Sequence, residues 1–403
     1  MNLSAQIQPI ETLADLVRIN SVNPNYLGGV PEGEIANYIE QFFSEHGIET
    51  WRQQVYADRP NVIARLPGRN PNRRIVLEAH MDTVSTTGME IAPWDAEARD
   101  GRLYGRGACD TKGGMSAMMH AVASLAREGF VPECEVLFAA TIDEEYSYRG
   151  VVALCNSLAP GDVDPEILVG EHAPKDPWQA DAAIIAEPTS LAAVIASKGL
   201  IRWKIETIGK AAHSAKPHLG TNAIEHMAHL LVALQQDTLL LSQHTHPLLG
   251  CATCNVGVVR GGVQVNFVPD RCEIEIDRRL LPSETRESVL RHYQQLVDSV
   301  SSQHPGMKVV MHPPMLSDRP LDTAPDSRAA QVIAGVLNSF GLDSTLRGVP
   351  FCSDASKFGA IGIPSIILGP GSIDQAHASV EYIECEQVIQ AMQIYRQFIV
   401  EFQ

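Results

Sequence analysis

At 403 residues, 45% apolar and 20% charged, the chain is long enough for more than one domain and has the make-up of a globular protein with a large core. Its formal net charge of -17 is spread along the chain without a basic stripe, which excludes a nucleic-acid backbone as partner. The opening segment lacks the basic and apolar regions of a secretory signal, no stretch is apolar for long enough to span a bilayer, and the eight cysteines are scattered, so the expectation is a cytoplasmic chain with reduced thiols and no membrane partner.

In chain order, helical periodicity at about 9 to 19 and 33 to 46 gives way to short apolar runs at 61 to 66 and 74 to 80. A helix at 113 to 128, closed by Gly129, is followed by the runs CEVLFAAT at 134 to 141 and AAIIAE at 182 to 187. The stretch from about 158 to 181, rich in Pro, Gly, Asp and Glu, reads as a long surface loop. Between about 194 and 309 the texture changes to long alternating strands (IRWKIETI, CNVGVV, CEIEIDRR) with two helices. The first pattern then returns with a helix at 326 to 340, the run PSIILG at 364 to 369 and a last helix at 384 to 402. These patterns predict an α/β domain, 1 to 193 with 310 to 403, built on a mixed, mostly parallel sheet between helices, and an inserted α+β domain at 194 to 309. Cys251 and Cys254 form a lone CxxC without the second ligand pair a zinc knuckle needs, and read as two strand thiols.

Chemistry-bearing residues gather at the ends of the apolar runs. His80 and Asp82 close RIVLEAH, with the aspartate placed to hold one imidazole nitrogen while the other binds a metal. Asp110 lies in the glycine-flanked turn GRGACDTKGG, where its two oxygens could bridge two cations or simply cap the next helix. Glu144 and Glu145 follow CEVLFAATID; adjacent side chains project differently, so one can bind metal while the other acts as a base. Glu187 precedes Pro188, which favours an extended backbone at the end of AAIIAE, and His377 follows the turn after PSIILG. Each has a plain structural reading on its own; together they form a nitrogen and oxygen set suited to zinc or its neighbours. His120, inside GMSAMMHAVASL, reads as a packed histidine, and Asp354 as a turn or helix start.

The segments LEAHMDTV, GRLYGRGACDTKGGMSA, TIDEEYSYRG, AEPT, GKAAHSAKPHLGTNAI and LGPGSIDQAH resemble, in order and over nearly the whole chain, the family of dinuclear metallopeptidases and deacylases that contains acetylornithine deacetylase, succinyl-diaminopimelate desuccinylase, aminoacylase and bacterial glutamate carboxypeptidase. The resemblance implies a zinc-exopeptidase-like catalytic domain in which His80 and Glu187 hold one metal, Glu145 and His377 the other, and Asp110 bridges them. Zinc is the metal it points to first, with cobalt as an alternative. It further implies Asp82 as the residue orienting His80, Glu144 as the general base, and a cis peptide after Asp110. In the inserted domain it implies an oxyanion-binding role for His213, supplied across a homodimer, and substrate-carboxylate roles for Asn266 and for Arg279, with Arg278 as competitor.

The expected reaction is hydrolysis of the amide of an N-acyl-L-amino acid, with N-acetylornithine as first substrate and arginine biosynthesis as setting; a desuccinylase or a dipeptidase-like carboxypeptidase is the alternative. A non-catalytic relative would show a broken ligand set, and all five ligand positions are intact. A dinuclear phosphoesterase would need cationic groups facing a phosphate, where these motifs offer mostly carboxylates.

Overall fold

The computed structural model describes residues 3–158 and 179–403, so the loop expected at about 158 to 181 falls, but for its ends, outside the described residues. The chain divides into two compact units. The first comprises Met1–Ile195, Thr323–Arg347 and Ser353–Gln403, and the second Ala196–Asp322 and Gly348–Cys352.

The first unit is built on a mixed sheet whose strands are β1 (Glu49–Tyr56), β2 (Arg59–Leu66), β3 (Asn70–His80), β4 (Cys134–Thr141), β5 (Ala182–Ile185) and β6 (Ser365–Ile367), arranged in the order β1-β2-β4-β3-β5-β6. β3 runs parallel to β4 and β5, and β5 parallel to β6, whereas β2 is antiparallel to both of its neighbours. All eight residues of β4 and the last six of β3 are buried, as strands covered on both faces must be, and this is why they read as continuous apolar runs. β1 escaped that reading because it is a sheet-edge strand, ETWRQQVY, with exposed and half-buried side chains only.

Helices Leu3–Arg18, Gly113–Arg127 and Cys385–Glu401 pack together, with the second also against β3 and β4. The second unit carries an antiparallel sheet in the order Thr253–Gly261, Arg271–Leu280, Gly199–Ile208, Lys308–Met311. Its core is Trp203, Ile205, Ile274, Ile276 and Tyr293 with Leu230 and Leu234 from the helix Ala223–Leu241. This unit extends beyond residue 309 because Lys308–Met311 and Leu316–Asp318 both pair with Gly199–Ile208. Among the described residues, no helix is long and apolar enough to cross a membrane.

His120 is packed, 4% exposed, with Nε2 2.8 Å from the Thr12 hydroxyl. Burial, then the nearby His46 and Arg127, pushes its pKa down to about 3. Between an unfolded value of about 6.5 and that folded value, the unfolded chain binds a proton that the fold excludes. Stability should therefore be independent of His120 above about pH 6.5 and fall by up to ~1.4 kcal/mol per pH unit as the pH drops below it. Urea midpoints at pH 7 and pH 5 should show a smaller difference for His120→Gln than for the parent; equal differences would refute the assignment.

Candidate functional site

Parallel pairing aligns the carboxyl ends of β3, β4 and β5: His80 lies opposite Thr141, and Glu78 opposite Ile185. The residues that follow each end, Asp82, Glu144–Glu145 and Glu187, therefore leave the sheet on the same side, where open α/β sheets gather ligands. His377 arrives from the loop after β6 with a φ of 60°. Asp110 comes from a tight segment, Ala108–Lys112, whose Asp110–Thr111 peptide is cis. That segment reaches the sheet because the Thr111 hydroxyl donates to the Ala186 carbonyl at 2.5 Å and Gly114 lies so close that a Cβ there would stand 2.6 Å from the Ala186 Cβ.

Asp110 is the point where two groups of donors meet. His80, Asp110 and Glu187 form one, and Asp110, Glu145 and His377 the other, each with its candidate ligand atoms within 4.8 Å of one another. Nε2 of His80 is 3.1 Å from Asp110 Oδ1, while Nε2 of His377 is 3.3 Å from Asp110 Oδ2 and 3.2 Å from Glu145 Oε1. The two oxygens of one carboxylate thus face two different imidazoles. His80, Asp110 and Glu187 are buried, Glu145 is half-buried and His377 exposed, so the site opens on the His377 side.

Around these lies a layer that positions them. Nδ1 of His80 is 2.9 Å from the Asp82 backbone carbonyl, whereas the Asp82 carboxylate stays 3.8 Å away. The expected orienting contact is therefore made by the main chain, because the carboxylate is engaged elsewhere: Oδ1 accepts the Glu144 N–H at 3.1 Å and Oδ2 the Glu145 N–H at 3.2 Å. Asn23 Nδ2 donates to Asp82 at 2.8 Å and to Asp143 at 2.9 Å, and Arg59 joins Asp143 to Glu32. Asn23, Arg59 and Glu32 were not found from sequence; no motif surrounds them. Asp354 is 1% exposed and makes no cap hydrogen bond with the helix Ala355–Ala360. It stands at the start of that helix, as expected, and its Oδ2 lies 3.4 Å from the Thr141 hydroxyl, which donates to Glu78 at 2.5 Å, so it also belongs to a buried polar layer beside β3 and β4.

The electrostatics follow from crowding four carboxylates, Asp110, Glu144, Glu145 and Glu187, against two imidazoles. Burial, then the charges of Asp110 and Glu144, drives the Glu187 carboxyl far above its usual range. Burial also pushes Glu144 up to about 8, with His80 opposing and Glu145 and Asp110 adding to the rise. Asp110 goes the other way: burial opposes it, but hydrogen bonds from His377 and His80 hold it below the usual range. Hydrogen bonds to Asp110 and Glu145 raise His377 to about 10. Binding divalent cations requires the imidazoles neutral and the carboxylates ionised; in that state the four carboxylates would carry the charge that two such cations offset, and the donor types match zinc, cobalt or manganese. The residues fit a dinuclear centre.

In the second unit, His213 lies on the short strand Ala212–His213, paired with Phe267, and its Nδ1 accepts the Ala215 N–H at 3.0 Å. The Ser214 N–H donates to the Asn266 carbonyl at 3.0 Å, so His213 and Asn266 are neighbours. Arg279 is not with them. The strand Arg271–Leu280 begins beside Ile208, on the His213 side, and reaches Arg279 eight residues later, ~27 Å along an extended chain. Arg279 is half-buried, with Nε 2.9 Å from Asp277 Oδ1, while Arg278 is 1% exposed on the opposite face and paired with Glu284. Arg278 is thus committed to the unit's interior, while Arg279, paired with Asp277, keeps to the more open face.

Comparison with known proteins places this arrangement. The sequence pattern of peptidase family M20/M25/M40 matches residues 76–401. A probable succinyl-diaminopimelate desuccinylase of Staphylococcus aureus (strain N315) is 25% identical over 100% of this chain and 99% of that protein. An acetylornithine deacetylase of Myxococcus xanthus is 28% identical over 97% and 96%. Among solved structures, a tripeptidase from Staphylococcus aureus superposes with a TM-score of 0.78 at 20% identity, covering 98% of each chain. A Bacillus subtilis protein described as a dinuclear metal binding peptidase gives 0.73 at 15% identity, covering 99% of this chain and 98% of that one.

Proposed function

From the premise that the chain belongs to peptidase family M20/M25/M40 and is a metallo-hydrolase, we propose that it hydrolyses the amide bond of an N-acyl-L-amino acid, with N-acetylornithine the first substrate to test. The observation that carries this is the meeting of two donor groups at the single carboxylate of Asp110. His80 and Glu187 would hold one divalent ion, Glu145 and His377 the other, with Asp110 shared and zinc the first candidate. Such a pair supplies Lewis acidity toward the scissile carbonyl and lowers the pKa of a water at the site.

The chain's own groups do the rest. Glu144, fixed through its N–H to Asp82, accepts a proton from the attacking water and returns it to the leaving amine. His213 donates to the developing oxyanion, and Asn266 and Arg279 take the substrate's carboxylate. Because His213 and Asn266 lie beyond the Arg271 end of the strand and Arg279 stands eight residues, ~27 Å of extended chain, toward its other end, one small substrate does not meet all three in a single chain. A homodimer resolves this by letting the partner supply His213 and Asn266. Exposed apolar side chains support such an interface: Val232, Leu239 and Leu240 on the helix Ala223–Leu241, and Val263 and Val265, 91% and 98% exposed, after the sheet-edge strand Thr253–Gly261. Mixing His213→Ala subunits with Glu144→Gln subunits should therefore restore activity, on the order of a quarter of the parent's if subunits pair at random. No restoration would refute sharing between subunits.

The eight cysteines form no disulfide, which supports a cytoplasmic setting. The relatives named desuccinylase and deacetylase lie at similar identity, so the acyl group is a matter for assay. The zinc- or cobalt-loaded protein should be offered acetylated, succinylated and dipeptide substrates in parallel. Preference for N-acetylornithine supports the proposal, preference for the succinyl compound or the dipeptide selects the alternative within the same chemistry, and hydrolysis of none overturns it.

A further inference from the structure

One buried ion pair touches three ligand-bearing segments at once. Glu381 is 1% and Arg106 3% exposed, and they meet at 2.6 Å through Oε2 and Nη1. The other oxygen of Glu381, Oε1, accepts two successive main-chain donors, the N–H of Cys109 at 3.0 Å and the N–H of Asp110 itself at 3.2 Å. Arg106 Nη2 donates to the Ser85 carbonyl at 3.0 Å, three residues beyond Asp82. Glu381 stands four residues after His377, at the start of the strand Tyr382–Glu384, and its own carbonyl accepts the Gly105 N–H at 3.1 Å. The segments bearing His80, Asp110 and His377 are thereby joined at one point.

The two amides need this acceptor. Asp110 and Thr111 depart from helical backbone angles, with φ and ψ of -118° and 92° and of -134° and 22°, and the segment is buried, away from water. A buried N–H without an acceptor costs about as much as a lost hydrogen bond, so an acceptor must come from elsewhere in the chain. A neutral acceptor would satisfy the amides, but only a carboxylate can also neutralise the buried guanidinium of Arg106.

We infer that Glu381, held by Arg106, is a positioning residue for Asp110: it fixes the peptide from which that carboxylate projects and so sets how its two oxygens address two cations. This inference rests on the dinuclear reading above. It is a role in geometry and not in proton transfer, because one Glu381 oxygen faces main-chain amides and the other Arg106.

The test uses the full-length protein freed of metal, titrated with Zn2+ by calorimetry and with Co2+ by visible spectroscopy, for the parent, Glu381→Gln and the double variant Arg106→Gln/Glu381→Gln. The double variant removes the unpaired buried charge that could unfold the single one. Thermal melts of the metal-free proteins accompany each titration. The expected result is folded variants in which at least one metal equivalent binds about tenfold or more weakly, with displaced Co2+ bands, while Glu384→Gln, a half-buried change on the same strand whose carboxylate pairs with Arg102 and no ligand segment, behaves as the parent. Two equivalents bound with parental affinity and spectrum in a folded variant would overturn the inference. Loss of the folded baseline in both variants would also overturn it, in favour of a fold-holding role. Failure of the parent to take two equivalents would instead sink the dinuclear reading, which keeps the two failures apart.

Discussion

Glu144→Gln is expected to keep both metal equivalents and the parental melting temperature while losing roughly 10³- to 10⁴-fold in kcat, the upper range for removal of a general acid and base. Glutamine is nearly isosteric and leaves the main-chain N–H of residue 144 bonded to Asp82, so neither fold nor donor set is disturbed. What vanishes is a group that can take a proton and give it back. With no cation bound, burial and the neighbouring carboxylates raise the Glu144 carboxyl to about 8; two divalent ions would lower it toward the ionised form that accepts a proton. Metal analysis beside steady-state kinetics checks the expectation, and activity within tenfold of the parent would remove Glu144 from the mechanism.

The second large effect is expected at the shared carboxylate. Asp110 is the only residue common to both donor groups, so Asp110→Ala should weaken both equivalents, whereas His80→Ala should weaken one and spare the other. Metal content after dialysis against a weak chelator measures the contrast. It should read near two for the parent, near one for His80→Ala and near zero for Asp110→Ala. Activity should follow metal content and return on adding zinc or cobalt to the parent alone. Equal loss in both variants would mean that the two donor groups do not act as separate sites.

How much of this was legible depended on whether one stretch of chain held the information. β4 was readable to the residue, Cys134–Thr141, because burial on both faces makes every side chain apolar. The carboxylates after β4 and β5 were readable as candidates because an acidic group ending a buried strand is conspicuous. Asp110 was different: local pattern allowed a helix cap as readily as a ligand, and only the family resemblance favoured the bridge. Asn23, Arg59 and Glu32 were invisible, since their roles arise from hydrogen bonds between segments far apart in sequence. Asp354 was readable as a helix start, but not its place next to Thr141, 213 residues away. The separation of Arg279 from Asn266 needed strand register, which a single sequence does not encode.

Asp82 has one further consequence. Its two oxygens suspend the amides of Glu144 and Glu145 side by side, the first a proposed proton carrier and the second a proposed ligand. A shift in this one side chain displaces both, so proton handling and metal grip are mechanically geared together and cannot be retuned separately from that position. Freedom to accept a different acyl group must then lie away from the β4 turn, in the residues that touch only the substrate.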